Sequence, residues 1–170
     1  MKSRKNIVFL GMMGSGKSSI GFLISKKLKI DFFDIDQLIE KELHQDIPKI
    51  FETKGEKFFR DFEEKTTLNI LKKKNVVVSL GGGAFLNKNI RDEVLTNHLS
   101  FWLKNTEETI LKRIAKSSKR PIAVRSSKNE LLNLMKKRSK IYSKAMYNID
   151  CNNLTKTEIA KKILNIYEAN

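Results

Sequence analysis

Residues 11 to 18 read Gly-Met-Met-Gly-Ser-Gly-Lys-Ser and satisfy the pattern G-x-x-x-x-G-K-[ST] in full. The flanks give this stretch its meaning. Asn6 to Leu10 is a short β-branched and aromatic run, suited to a buried strand. From Ser19 to Leu28, apolar residues fall at Ile20, Leu23, Ile24 and Leu28, which is helical spacing. A strand, a glycine loop and a helix in that order make a phosphate cradle. Gly11, Gly14 and Gly16 let backbone N–H groups converge on phosphate oxygens, and the helix N-terminus adds the positive end of its dipole. Lys17 would reach the terminal phosphates and Ser18 would offer a hydroxyl to a magnesium ion. The expected ligand is a nucleoside triphosphate.

A chain of 170 residues with 40% hydrophobic and 31% charged residues suits one soluble domain with a core of its own. No apolar run approaches the roughly 20 residues that cross a bilayer. The basic start Met1-Lys2-Ser3-Arg4-Lys5 leads straight into the strand before the phosphate loop, so no targeting segment is read there and a cytoplasmic protein is expected. A monomer is expected as well, though nothing in the sequence fixes the oligomeric state. Cys151 stands alone, which excludes an internal disulfide and a multi-cysteine zinc site, and it is read as core filler at a strand end. His44 and His98 show no ligand-like pairing. The net charge of +15 admits nucleic-acid binding as one reading. Few aromatics interleave with the basic residues and no nucleic-acid module is present. Solvated lysine faces and anionic substrates are therefore the preferred reading, with no nucleic-acid or membrane partner.

Four further β-type runs follow at Phe32–Ile35, Val76–Leu80, Leu99–Leu103 and Tyr147–Asp150, with helical segments between them. That alternation predicts a parallel sheet with helices on both faces. Asp46 is placed to cap a short helix with Pro48 in its first turn and Gly55 at its close. Thr155 and Glu158 form a capping box ahead of Ile159, Ile163 and Ile166. Residues 115–129 are basic, serine-rich and sparsely apolar. In a phosphoryl-transfer enzyme such a stretch is a candidate lid; the alternative is an ordinary exposed loop.

Three features beyond the phosphate loop bear on the acceptor. Asp34 and Asp36 flank Ile35 at the carboxyl end of strand 2, where one carboxylate suits a magnesium ion and the other an acceptor hydroxyl; helix capping is the plainer alternative. Gly81-Gly82-Gly83 ends strand 3, where a ligand could approach the backbone closely. Arg60 sits in an apolar helical stretch and wants a carboxylate, from Glu63, Glu64 or a ligand.

Taken together, these segments resemble the shikimate kinases over nearly the whole length, from Ile7 to about Ile166. The matching pieces are Gly11 to Ser19, Phe33-Asp34-Ile35-Asp36, Gly55-Glu56 through Phe59-Arg60 and Glu63-Glu64, and Ser79 to Ala84. Arg120-Pro121, and Arg138 with Tyr142, complete the set. The resemblance implies a three-layer P-loop NTPase fold with a five-stranded parallel sheet in the order 2-3-1-4-5 and a mobile lid over about 115–129. The substrate-binding region would cover about 34–63. It implies ATP-dependent phosphorylation of shikimate to shikimate 3-phosphate, with one Mg²⁺ ion. Gly14, Ser15, Gly16, Lys17, Ser18 and Ser19 would hold the phosphates, with Arg113 on the adenine side and Arg120 in the lid reaching the moving phosphate. Ser18 and Asp34 would hold the metal. Asp36 would hydrogen-bond the acceptor hydroxyl as general base, and Arg60, Arg138, Gly82 and Gly83 would seat the shikimate carboxylate.

One stretch departs from the family. The proline that often follows strand 5 beside the adenine is absent from Asp150-Cys151-Asn152-Asn153-Leu154-Thr155-Lys156-Thr157, so the adenine contacts there stay open. Two other functions remain: another small P-loop kinase, such as a gluconate kinase, and a non-enzymatic nucleotide-binding protein.

Overall fold

The computed structural model describes residues 5–115 and 127–170. Strand β1 (Ile7–Leu10) is buried at every position, as an apolar run covered on both faces must be. Successive side chains point to opposite faces, so Ile7 and Phe9 enter one core while Val8 and Leu10 enter the other. The remaining strands are β2 (Asp31–Asp34), β3 (Val76–Ser79), β4 (Leu99–Lys104) and β5 (Tyr147–Asp150). They form one sheet in the order β2-β3-β1-β4-β5, and every neighbouring pair is parallel. The expected architecture and strand order are thus present.

The described residues form seven α-helices: α1 (Lys17–Leu28), α2 (Ile35–Leu43), α3 (Ile47–Leu71), α4 (Lys88–Asn97), α5 (Glu107–Ala115), α6 (Lys128–Tyr142) and α7 (Lys156–Glu168). Ile20 and Ile24 of α1 and Ile159 and Ile163 of α7 pack on Phe9 and Phe101 on one face. Ile39, Ile50, Phe59, Ile90, Met135 and Tyr142, from α2, α3, α4 and α6, cover the other. Fully burying each such side chain contributes about 1.5–3 kcal/mol.

Element ends follow local chemistry. Asn6, expected to open the first strand, lies just before β1, and its amide ties the bottom of the sheet. Its Nδ2 donates to Leu71 O and Lys73 O at 3.1 and 2.7 Å, and its Oδ1 accepts from Val76 N at 3.1 Å. Ile35 begins α2 rather than ending β2, because Asp34 caps that helix by accepting from Gln37 N. Asp46 caps α3 as expected. At Gly55 (φ 82°, ψ 165°) the helical path breaks and then resumes, so the expected end is a kink within one long element. The Thr155–Glu158 capping box is present, and an unexpected second one, Ser127 with Glu130, opens α6. Of the candidate lid, Ala115 belongs to α5 and Lys128 and Asn129 to α6, while 116–126, with Arg120 and Pro121, lies outside the described residues.

Candidate active site

Every strand's carboxyl end leads toward one cavity of about 640 Å³. Open parallel sheets bind ligands at this edge, where strand termini and helix N-termini meet. The phosphate loop joins β1 to α1, and its glycines at 11, 14 and 16 all have positive φ. Gly16 is the left-handed N-cap of α1, a conformation that costs an L side chain roughly 1–2 kcal/mol. Lys17 Nζ donates to Gly11 O and Met12 O, at 2.9 Å each, which folds the ammonium back over the loop. Gly14, Ser15, Gly16, Lys17, Ser18 and Ser19 all line the cavity.

Ser18, in the first turn of α1, donates to the Asp34 carboxylate at the end of β2. The pair presents a hydroxyl and a carboxylate beside the phosphate loop. Such a hard-oxygen donor set fits Mg²⁺, which usually takes one or two protein oxygens and completes its shell with phosphate and water.

Asp36, on the first turn of α2, faces a different set of groups. Burial, reinforced by the negative charge of Asp34, pushes its carboxyl up to about 6, although Lys17 pulls the other way. Glu63 on α3 is 2% exposed. Burial raises its pKa above the usual glutamate value, opposed by the neighbouring Arg60 guanidinium. Arg60 Nη1 donates to Glu63 Oε2 at 2.8 Å, and its plane lies against Phe59 and Phe51. Of the two acidic partners proposed for Arg60, Glu63 is the one it takes; Glu64 turns to Asn87 and Asn89 instead.

The triple glycine lies where these charges meet. A Cβ on Gly81 would stand 2.6 Å from both Asp36 Oδ1 and Glu63 Oε1. On Gly82 it would stand 3.3 Å from an Arg138 nitrogen, and on Gly83 2.6 Å from Arg60 Nη1. Side chains here would therefore push both arginines and both acids out of place. Arg138 comes from α6, its Nε buried without a hydrogen-bond partner among the described residues. One turn on, the Tyr142 hydroxyl donates to Gly82 O, and burial pushes its pKa up to about 12, so it stays a donor at neutral pH.

At the cavity's other end, Arg113 of α5 donates to Gly14 O at 3.0 Å and to Asn105 Oδ1 at 3.3 Å. Asn105 Nδ2 in turn donates to Ser15 O at 3.3 Å. Asn105 was not singled out from sequence, yet its place just after β4 was a usable signal, because residues there reach the ligand edge. Cys151, Leu154, Lys156 and Ile159 also line this end. Burial raises the Cys151 thiol to about 11, which suits core filler rather than a nucleophile. Arg120 is the one candidate site residue outside the described residues.

The chain is similar to known proteins over nearly its whole length. A family model for shikimate kinase matches residues 13–168. The shikimate kinase of Thermodesulfovibrio yellowstonii is 39% identical over 165 residues, 96% of this chain and 95% of that protein. That of Bacillus subtilis is 41% identical over 162 residues, covering 94% and 87%. Among solved structures, shikimate kinase from Acinetobacter baumannii in complex with shikimate superposes with a TM-score of 0.91 at 30% identity, covering 97% of this chain and 93% of that one. With its phosphate loop, and with Arg60 and Arg138 set against a glycine turn, the chain belongs to the shikimate kinase family.

Proposed function

We propose that this chain transfers the γ-phosphoryl group of ATP to a hydroxyl of shikimate. The observation that carries the reading is the convergence of Arg60, Arg138 and Asp36 on Gly81–Gly83 in the cavity that also holds Lys17. Two guanidinium groups suit a single carboxylate, since each planar fork imposes orientation as well as attraction. With the acceptor's acid group held there, Asp36 is the base within reach of its hydroxyl. A carboxyl pushed up to about 6 is a better proton acceptor than an ordinary aspartate, yet remains mostly ionised at neutral pH.

Phosphoryl transfer passes through a loose transition state, so positioning and fixed positive charge supply most of the acceleration. Lys17, the loop N–H groups of 14–19 and the N-terminus of α1 surround the transferring group. Arg113 steadies the loop, and Arg120 adds charge to the moving phosphate. Ser18 and Asp34 would hold Mg²⁺, whose contribution when bound is to neutralise charge on the phosphate oxygens. The hydroxyl's proton passes to an Asp36 carboxylate oxygen as its oxygen bonds to phosphorus. The bond from phosphorus to the bridging oxygen breaks in line, and ADP leaves.

An ADP-release assay with purified protein, ATP and Mg²⁺ tests the reading. Turnover should begin on adding shikimate and stay near background without it. Turnover on gluconate and none on shikimate would give the site a different acceptor.

A further inference from the structure

Glu64 follows Glu63 on α3 but is not among the residues lining the cavity. Its carboxylate accepts two amide donors from the start of α4: Asn87 Nδ2 at 2.6 Å and Asn89 Nδ2 at 2.7 Å. Both donors hold its pKa below the usual glutamate value, so it is an anion at neutral pH. Asn87 works with both ends of its amide. While Nδ2 faces Glu64, Oδ1 caps α4 by accepting from Asn89 N and Ile90 N at 2.8 and 3.1 Å. That cap leaves Nδ2 directed at α3.

The chain between the glycines and Asn87 is closely braced. Ala84 N donates to Gly81 O, Leu86 N to Gly83 O, and Asn87 N to Ala84 O, all at 3.0–3.1 Å. Arg91 Nη1 donates to Phe85 O and Leu86 O. A displacement at Asn87 is therefore passed to Gly83. On the facing side, Arg60 and Glu64 are one helical turn apart on α3. Two rungs thus join the same two segments. One is the close approach of Arg60 to Gly83, and the other is the hydrogen bond from Asn87 to Glu64.

We propose that Glu64 and Asn87 are positioning residues for the acceptor: their hydrogen bond sets the gap between α3 and the glycine turn, and with it the seat of the acceptor's carboxylate beside Arg60. Neither residue touches substrate. The inference rests on the function proposed above. A guanidinium displaced by a fraction of an ångström loses a two-point contact, which weakens acceptor binding and leaves the phosphate loop untouched.

Asn87→Asp separates this role from a structural one. Aspartate is as good an N-cap as asparagine, so α4 and the fold are retained. It nevertheless sets a carboxylate against Glu64 where a donor stood. Adding Glu64→Gln gives position 64 an N–H group for the new carboxylate, while its amide oxygen can still accept from Asn89.

Asn87→Asp should raise KM for shikimate about tenfold with KM for ATP within about twofold, and the double variant should recover most of the loss. Backbone hydrogen exchange over 81–86 should quicken in the single variant and slow again in the double, reading the tie without turnover. Equal KM values for shikimate in Asn87→Asp and wild type overturn the inference, as does a matching rise in KM for ATP or a double variant no better than the single. Unchanged exchange over 81–86 overturns the tie itself. A wild-type chain that turns over no shikimate overturns instead the functional reading beneath it.

Discussion

The two ends of the cavity hold charge by opposite means. At the end proposed for the nucleotide one contiguous loop supplies backbone N–H groups, and the neighbouring side chains serve that loop: Lys17, Arg113 and Asn105 donate to its carbonyls at Gly11, Met12, Gly14 and Ser15. At the end proposed for the acceptor the backbone is stripped to three glycines, and Asp36, Arg60, Glu63 and Arg138 arrive from α2, α3 and α6. Main-chain binding asks little of side chains beyond the glycines. A constellation of side chains asks for buried charges, each held in place by others, and so fails when any one is lost. Acceptor selectivity should therefore be fragile to single substitutions, whereas nucleotide binding should tolerate most changes apart from Lys17.

Lys17→Met should be the most severe break, because the proposed mechanism places this ammonium where negative charge develops, and the same charge also acts on Asp36. We expect kcat to fall about a thousandfold or more, with KM for shikimate within a few-fold of wild type and a far-ultraviolet circular dichroism spectrum that is unchanged. A kcat within tenfold of wild type would mean that the loop's N–H groups suffice alone, making the two ends more different still.

The same contrast explains what was legible in the sequence. Gly11 to Ser18 is read directly because backbone binding is local: the loop, its strand and its helix are contiguous. The three central strands stand out because each is buried on both faces and so mostly apolar, while the edge strands β2 and β5 each carry two polar residues and read less plainly. The Thr155–Glu158 cap stands out because its partners are three residues apart. Arg60 could be seen to need an acid, but Glu63 and Glu64 lie on the same helix within one turn of it. Choosing between them required Asn87 and Asn89, which lie 23 and 25 residues from Glu64. Asn105 escaped notice because it donates to the Ser15 carbonyl, distant in sequence, and accepts from Arg113, contacts that leave no pattern in the sequence. Gly55 marked a helix end that proved to be a kink, since helical packing resumes beyond it with Phe59 in the core.

Arg60→Ala sharpens the comparison at the acceptor end. KM for shikimate should rise about a hundredfold while KM for ATP stays within about twofold, measured by steady-state kinetics with each substrate varied in turn. The substitution also leaves Glu63 buried without its 2.8 Å partner, so thermal stability should drop as well. Adding Glu63→Gln separates the two effects. An uncharged residue at 63 should restore much of the melting temperature and leave KM for shikimate high. Recovery of both would mean that Arg60 serves the fold rather than the ligand.

The smallest expected effect is the most diagnostic of how the acceptor end stores its charge. Asp36 titrates at about 6 in the folded protein against 3.8 for an ordinary aspartate, chiefly because burial disfavours its anion. Between those two values the folded state binds more protons than the unfolded one, so this group's contribution to stability falls as pH rises through the window, and its cost persists above about 6. Asp36→Asn, which cannot ionise, should therefore melt a few degrees higher than wild type at about pH 8 and show little gain at about pH 4. In the wild type, kcat/KM for shikimate should decline toward acid with a limb near 6, close to tenfold per pH unit below it, as the base becomes protonated. A limb near 4, or a variant no more stable than wild type at the higher pH, would show Asp36 to be solvated like a surface acid. The acceptor end would then carry its charge no differently from the phosphate loop.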